Sequence, residues 1–108
     1  MTMRELTPQE LKAYLENSET EPLLLDVREP GEFNICHIDG SRLLPMGRVA
    51  ESIDELPQQQ PIVVICHHGM RSYSIAHYLE QQGFEPVFNL RGGLDAWART
   101  VDLDMPTY

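Results

Sequence analysis

The strongest folding signal in the sequence is an unbroken apolar run, Ile62-Val63-Val64-Ile65-Cys66. Four of its five residues are β-branched, and β-branched residues favour strands. A strand that is apolar on both faces has to be covered on both faces, which is typical of a central strand in a parallel sheet. Because parallel strands are joined by crossover connections that are usually helical, this run predicts an α/β fold.

The rest of the chain alternates between helix and strand patterns, as an α/β fold requires. Thr7, Pro8 and Glu10 form a capping box with proline at the first helical position, so a helix is predicted from there to about Asn17. Gly83 is the expected stop of a second strong helix. This second helix is predicted at residues 71–82. Further strands are predicted at residues 23–27, 42–44 and 86–90, and further helices at 31–34 and 48–56. A tight turn at Gly92-Gly93 leads into a last helix through Leu94, Trp97 and Ala98. We therefore expect four or five strands and as many helices, with the tail 101–108 extended over the surface.

Length and charge narrow the function classes. The 108 residues are expected to form a single domain over 1–108. Eight lysine and arginine residues against seventeen acidic ones give a net charge of −9, so no nucleic acid or anionic membrane is expected as a partner. Two cysteines, Cys36 and Cys66, do not make a disulfide framework, and the N-terminus lacks a secretory signal. A cytoplasmic location is therefore expected.

The segment most suggestive of chemistry is the loop that follows the central strand, from Cys66 to Ser72. Ligand sites of parallel sheets lie beyond the carboxyl ends of the strands. If this loop curls, its backbone N–H groups and the N-terminus of the next helix converge on one point. Together with the charge of Arg71, they would stabilise a thiolate or an anionic persulfide on Cys66. The loop residues expected to bind this group are His67, His68, Gly69, Met70, Arg71 and Ser72.

Each candidate residue also has a structural explanation. Cys66 could be a core thiol at a strand end. The pair His67-His68 invites a metal site, but adjacent residues seldom face one ion and no spaced partner follows, so no metal is expected. Asp26, Arg28 and Glu29 are interpreted as a buried polar network that fixes the loop after its strand. From that network, Asp26 or Arg28 can support the active loop.

Four ordered segments of the chain resemble the rhodanese family of sulfurtransferases. They are residues 25–33, 36–41, 66–71 and 90–97, and the tail 101–108 also resembles the ending of bacterial rhodanese domains. The resemblance covers nearly the whole chain. It implies a rhodanese-like three-layer fold, in which a mostly parallel sheet of four to five strands is flanked by helices.

The resemblance also implies a mechanism. Cys66 takes the outer sulfur of a donor such as thiosulfate or a persulfide, and a thiophilic acceptor then removes it from the Cys66 persulfide. No metal or organic cofactor is implied. The loop has four residues between Cys66 and Arg71, whereas the related dual-specificity phosphatases have one more and a cradle sized for phosphate. This loop length favours sulfur chemistry over phosphate or arsenate chemistry. The alternatives to a sulfurtransferase are a non-catalytic binding or regulatory module and, less favoured, a phosphatase or arsenate reductase.

Departures from the family pattern bear on the donor. Strong thiosulfate users often carry extra Arg or Lys in the loop, where this chain has His67 and His68, which are mostly neutral at pH 7. Thiosulfate is a dianion and the chain is acidic, so we expect weak thiosulfate binding and a better fit to a protein persulfide, with a sulfur-relay protein as partner. Cys36 stands where the family usually has glycine; it is interpreted as a small buried residue, with a resolving thiol as the alternative.

Overall fold

The computed structural model describes residues 3–17 and 19–108. In this part of the chain, five parallel strands form one sheet in the order β1-β5-β4-β2-β3. The strands are β1 (Arg4–Leu6), β2 (Leu23–Asp26), β3 (Arg42–Leu43), β4 (Ile62–Ile65) and β5 (Val87–Leu90), and the helices are α1 (Pro8–Asn17), α2 (Pro30–Ile35), α3 (Met70–Gln81) and α4 (Gly93–Thr100). The predicted α/β class and parallel sheet are confirmed.

The central strand is β4, as the apolar run predicted. Its side chains alternate between two cores: Ile62 and Val64 face α3 and residues 49–56, while Val63 and Ile65 face α1 and α4. All four are fully buried, and burying each contributes about 1.5–3 kcal/mol relative to leaving it exposed. The sheet is thus the middle of three layers, and all five carboxyl ends of its strands lie at one edge.

The first helix begins as predicted. The Thr7 N–H donates to Glu10 Oε1 at 2.8 Å, and the Glu10 N–H donates to Thr7 Oγ1 at 3.1 Å, which completes the capping box. The strand β1 before it was not predicted, because three residues carry too little periodicity to identify a strand.

One predicted helix is wrong in type. The part of the chain around residues 48–56 does not form an α-helix. It forms two 3₁₀ helices, Met46–Arg48 and Ala50–Glu55. The i→i+3 bonds of the Ser52 N–H to the Val49 carbonyl and of the Leu56 N–H to the Ile53 carbonyl show the tighter winding. β-Branched Val49 and Ile53 and the flanking prolines disfavour a regular helix here, yet Val49 and Leu56 are buried as the pattern predicted.

None of the helices in the described part of the chain is both long and apolar enough to cross a membrane. The tail is not simply extended, because residues 101–105 form turns and the last residues return towards the loop after β4.

Candidate active site

Cys66 follows β4 at the carboxyl edge of the sheet, and its sulfur faces the loop that comes after it. The Gly69 N–H and the Ser72 N–H donate to Cys66 Sγ at 3.1 and 3.3 Å, and Ser72 Oγ lies 3.3 Å from the same sulfur. Cys66 is only 1% exposed. Burial alone would fit a core thiol, but two amide donors aimed at one sulfur are the arrangement that stabilises negative charge on it.

The loop can take this shape because of glycine at position 69. Gly69 has φ of +95°, a backbone conformation that L side chains rarely adopt. A Cβ atom there would lie 3.1 Å from the Gly92 backbone nitrogen and 3.2 Å from the Leu90 carbonyl oxygen. The loop therefore passes so close to the end of β5 that position 69 has no room for a side chain.

The N-terminus of α4 holds the other side of the loop. The Leu94 N–H donates to the Cys66 carbonyl at 2.9 Å, and the Asp95 N–H donates to the His67 carbonyl at 3.0 Å. A Cβ atom on Gly93 would lie closer than 3.0 Å to both carbonyl groups, so only glycine permits this contact. The two carbonyl oxygens, which would repel a thiolate, are thereby bound to α4. The Gly92-Gly93 pair, expected only as a tight turn, shapes the site.

Arg71 was expected to add its positive charge to the loop, and the structure pairs this charge with Glu32 of α2. Its Nη1 and Nη2 donate to the two oxygens of Glu32 at 2.7 and 2.9 Å. The Arg71 hydrogen bonds hold the pKa of Glu32 down to about 2, and Glu32 raises the pKa of Arg71. Cys66 is close enough to contribute to the Arg71 shift as a smaller cause. The loop therefore has a cation whose charge is largely compensated.

Asp26 and Arg28 form the buried polar network that the sequence suggested. Both side chains are fully buried, and Arg28 donates through Nε and Nη2 to the two Asp26 oxygens at 2.8 and 2.7 Å. Arg28 Nη2 also donates to the Cys36 carbonyl at 2.7 Å, and Nη1 to the Glu32 carbonyl at 3.2 Å. Glu29 lies outside this network: it is exposed and caps α2.

Tyr108 joins this network from the tail, which the sequence did not predict. Its hydroxyl accepts from Arg28 Nη1 at 2.8 Å and donates to Glu32 Oε2 at 2.9 Å. Its ring lies 4.0 Å from the His67 ring, measured between centroids. Burial raises the pKa of Tyr108 to about 12, although the Arg28 hydrogen bond opposes this. The tail thus covers one side of the loop.

The side chains of the loop point to different surroundings. Burial lowers the pKa of His67, and His68 lowers it further, so His67 is neutral near pH 7. Met70 is 80% exposed beside an open depression of about 380 Å³ that His68 and Gly69 also line. Ser72 is buried and contacts Asn89 of β5 at 2.5 Å from Oγ to Oδ1. The sequence had not singled out Asn89.

Three side chains are close enough to be considered for a metal. The nearest ligand atoms of His67, His68 and Asp95 all lie within 4.8 Å of one another, and His68 Nε2 is 3.9 Å from Asp95 Oδ2. Ligands on a tetrahedral zinc ion with bonds of 2.0–2.1 Å are only about 3.3 Å apart. We therefore describe this group as a histidine side chain near a carboxylate, beside a contact between two histidine rings, and not as a set of metal ligands.

The Glu32–Arg71 pair predicts a specific dependence of stability on pH. A carboxyl whose pKa is lowered on folding stabilises the fold above its ordinary pKa of 4.5, and this contribution is lost as the pH falls towards about 2. We expect Glu32→Gln to cost about 1–3 kcal/mol of unfolding free energy at pH 7, and the difference from wild type to shrink between pH 4.5 and 2. Urea unfolding at several pH values measures it.

The matched control is Glu51→Gln. Glu51 pairs with Arg48, but both side chains are more than 60% exposed, so its replacement should change the stability by less than about 0.5 kcal/mol. If the loss caused by Glu32→Gln stayed constant from pH 7 to 2, the Arg71 pair would not be its source.

Comparisons with known proteins agree with this geometry. Residues 7–100 match the family described as "Rhodanese-like domain". The chain is 36% identical over 105 residues to "Probable adenylyltransferase/sulfurtransferase MoeZ" of Mycobacterium tuberculosis, which covers 95% of this chain and 26% of that protein. The chain therefore spans about a quarter of the length of this relative.

Two other relatives are similar in size to this chain. The thiosulfate sulfurtransferase GlpE of Pseudomonas aeruginosa is 35% identical over 103 residues, which are 95% of this chain and 91% of that protein. The solved structure of a rhodanese-like domain protein from Staphylococcus aureus superimposes with a TM-score of 0.83 at 26% identity, covering 98% of this chain and 99% of the other. The chain has a three-layer α/β fold and a cysteine loop after the central strand, and residues 7–100 match the family model. It therefore belongs to the rhodanese-like domain family.

Proposed function

We propose that this chain is a sulfurtransferase that carries sulfane sulfur as a persulfide on Cys66. The Cys66 thiolate attacks the outer sulfur of a donor, a new S–S bond forms, and the donor's own bond to that sulfur breaks. The leaving group keeps the electron pair, as sulfite from thiosulfate or as a thiolate from a persulfide. A thiophilic acceptor then takes the sulfur and returns Cys66 to the thiolate.

The observation that carries this proposal is the pair of amide donors on Cys66 Sγ within a loop of four residues before Arg71. Preorganised N–H groups stabilise the charge of a thiolate and of the persulfide that replaces it, without reorganisation during the reaction. In this proposal His67, His68 and Met70 line the approach to the sulfur. Asp26 and Arg28 support the site indirectly, because Arg28 binds the carbonyl groups of Glu32 and Cys36 and so fixes the position of α2.

For the donor, we propose that a thiol persulfide is preferred to thiosulfate. Arg71, the cation at the end of the cysteine loop, already donates through both Nη1 and Nη2 to the carboxylate of Glu32. The chain as a whole carries a net charge of −9, which repels a dianion. The name of the GlpE relative supports thiosulfate as a substrate. The name of MoeZ combines sulfurtransferase with adenylyltransferase activity, which supports sulfur transfer coupled to a second reaction. A sulfur-relay protein in a reducing cytoplasm is the partner and setting that we propose.

The short loop argues against phosphatase or arsenate reductase activity, because only four residues separate Cys66 from Arg71, one fewer than the family resemblance implies for the phosphatases of this fold. A non-catalytic binding module would not need two amide donors on a cysteine sulfur. Both alternatives would leave Cys66 without added sulfur after exposure to a donor, which makes them testable together.

The test is the intact mass of the full chain after incubation with thiosulfate or with glutathione persulfide. We expect a gain of one sulfur atom on Cys66, with the greater yield from glutathione persulfide at equal concentration, and loss of that mass on adding cyanide. Peptide mapping locates the added sulfur. No mass gain with either donor would contradict the proposal, and a greater yield from thiosulfate would contradict the donor preference.

A further inference from the structure

Ser72 lies between the Cys66 sulfur and a buried amide on the neighbouring strand. Its Oγ is 3.3 Å from Cys66 Sγ and 2.5 Å from Asn89 Oδ1. Ser72 is fully buried and Asn89 is 1% exposed. A hydroxyl has one proton and can donate it to only one of these two atoms. Which neighbour receives it decides whether Ser72 donates to Cys66 or accepts from it.

The orientation of the Asn89 amide settles this. Asn89 Nδ2 donates to Glu5 Oε2 at 2.9 Å and to the Gly69 carbonyl at 3.2 Å. Both of these oxygens are acceptors only, so the NH₂ group has to face them and the oxygen Oδ1 has to face Ser72. Since Oδ1 has no proton, the contact with Ser72 requires the hydroxyl proton of Ser72.

We propose that Asn89 is a positioning residue that takes the hydroxyl proton of Ser72 and thereby makes Ser72 Oγ a hydrogen-bond acceptor towards Cys66. An acceptor favours the protonated thiol, whose S–H can donate to it, and disfavours the thiolate, whose charge faces the oxygen lone pairs. This effect opposes the two amide donors of the loop. It keeps more of the resting cysteine in the thiol form, and the thiol is less readily oxidised than the thiolate.

The inference rests on the proposed function in one respect: Cys66 is the nucleophile whose protonation matters. Each variant below keeps the charged side chains around Cys66 in the protein, although Asn89→Ala removes the hydrogen bond to one of them, Glu5. They are Arg71 on α3 with Glu32 on α2, His67 in the loop, Asp95 on α4, Asp26 at the end of β2 with Arg28 just after it, Tyr108 in the tail, and Glu5 on β1 through Asn89.

The first test is the sign of the effect of Ser72→Ala. The rate of Cys66 alkylation by iodoacetamide is measured against pH in a Cys36→Ser background, so that one thiol reports. Removing an acceptor should lower the pH midpoint of alkylation by about 0.5 to one unit, since a neutral hydrogen bond has a net value of about that size. If Ser72 instead donated to the thiolate, the midpoint would rise. An unchanged or raised midpoint would overturn the proposal.

The second test is Asn89→Ala, which frees the Ser72 proton for the thiolate. We expect the midpoint to fall by about one unit, equivalent to about tenfold more thiolate below the midpoint. In a Ser72→Ala background the same change should shift the midpoint by less than half as much, because the hydroxyl is already gone and only the lost contacts of Asn89 to Glu5 and to the Gly69 carbonyl remain. A shift at least half as large in that background would show that Asn89 acts by another route and would overturn the proposal.

Alkylation does not require sulfur transfer, so these tests stand apart from the mass measurement that tests the proposed function. Circular dichroism checks that each variant is folded. If Asn89→Ala did not fold, the sign of the Ser72→Ala shift would still decide the proposal.

Discussion

Replacing Cys66 by serine is expected to stop sulfur transfer, with a loss of at least about a thousandfold in the rate of thiocyanate formation from a persulfide donor and cyanide. Serine keeps the size and the contacts to the Gly69 and Ser72 amides, but its hydroxyl does not form a persulfide. The loss should appear in the turnover rate. The intact mass of the variant should show no added sulfur on residue 66.

Cys36→Ser is the matched control, because Cys36 is the other cysteine of the sequence. It is 8% exposed and lines a cleft beside His67 that is too narrow to hold a water molecule. We expect this variant to keep its activity within about twofold, because serine has nearly the size of cysteine and Cys36 lies outside the loop whose amides contact the Cys66 sulfur. Equal losses in both variants would favour a resolving role for Cys36, and a sulfur gain in the Cys66→Ser variant would remove Cys66 from its proposed role.

The central part of the fold could be predicted because its signals are local. Residues 62–65 are apolar on both faces, and the capping box at Thr7 and Glu10 fixes a helix start within four residues. The 3₁₀ winding of Ala50–Glu55 could not be predicted in the same way. Val49 and Leu56 are inward-facing in either winding, so the apolar pattern does not separate the two.

The site was predictable in its position and less so in its charge. A cysteine after the best strand and before a strong helix has to lie at the carboxyl edge of a parallel sheet. The partner of Arg71, however, is Glu32, which is 39 residues away in the sequence. A sequence pattern shows only which residues of one helix share a face. It does not show that Glu32 of α2 contacts Arg71 of α3, because the fold brings these two helices together. The compensation of the Arg71 charge is therefore a tertiary property.

Asn89 is a case where a signal existed. It interrupts the apolar strand Val87–Leu90, and a polar side chain in a buried strand has to find hydrogen-bond partners there. Since β5 lies between β1 and β4 in the sheet, those partners had to lie on β1 or beside the cysteine loop, and the structure shows one set on each side. Tyr108 offered no such signal, because a tyrosine in a tail of mixed composition has no pattern that indicates where its hydroxyl binds.

The largest effect on stability is expected from Arg28→Met. Methionine fills much of the space of arginine, but it leaves the buried Asp26 carboxylate without its partner. It also removes the donors to the Cys36 carbonyl and to the Tyr108 hydroxyl. Breaking a buried pair on one side costs about 3–5 kcal/mol, since the remaining charge is uncompensated. Urea unfolding at pH 7 should show this loss in the free energy of unfolding, with an unchanged slope against urea.

A second substitution shows whether Arg28→Met loses stability through the unpaired Asp26 charge or through the lost hydrogen bonds of Arg28. Adding Asp26→Asn to Arg28→Met removes the stranded charge, so the double variant should be more stable than Arg28→Met alone by at least about 1 kcal/mol. Arg48→Met, at a side chain that is 67% exposed, is the matched control and should stay within about 0.5 kcal/mol of wild type. A double variant less stable than Arg28→Met would mean that the hydrogen bonds to the Cys36 carbonyl and Tyr108, and not the buried charge, dominate the contribution of Arg28.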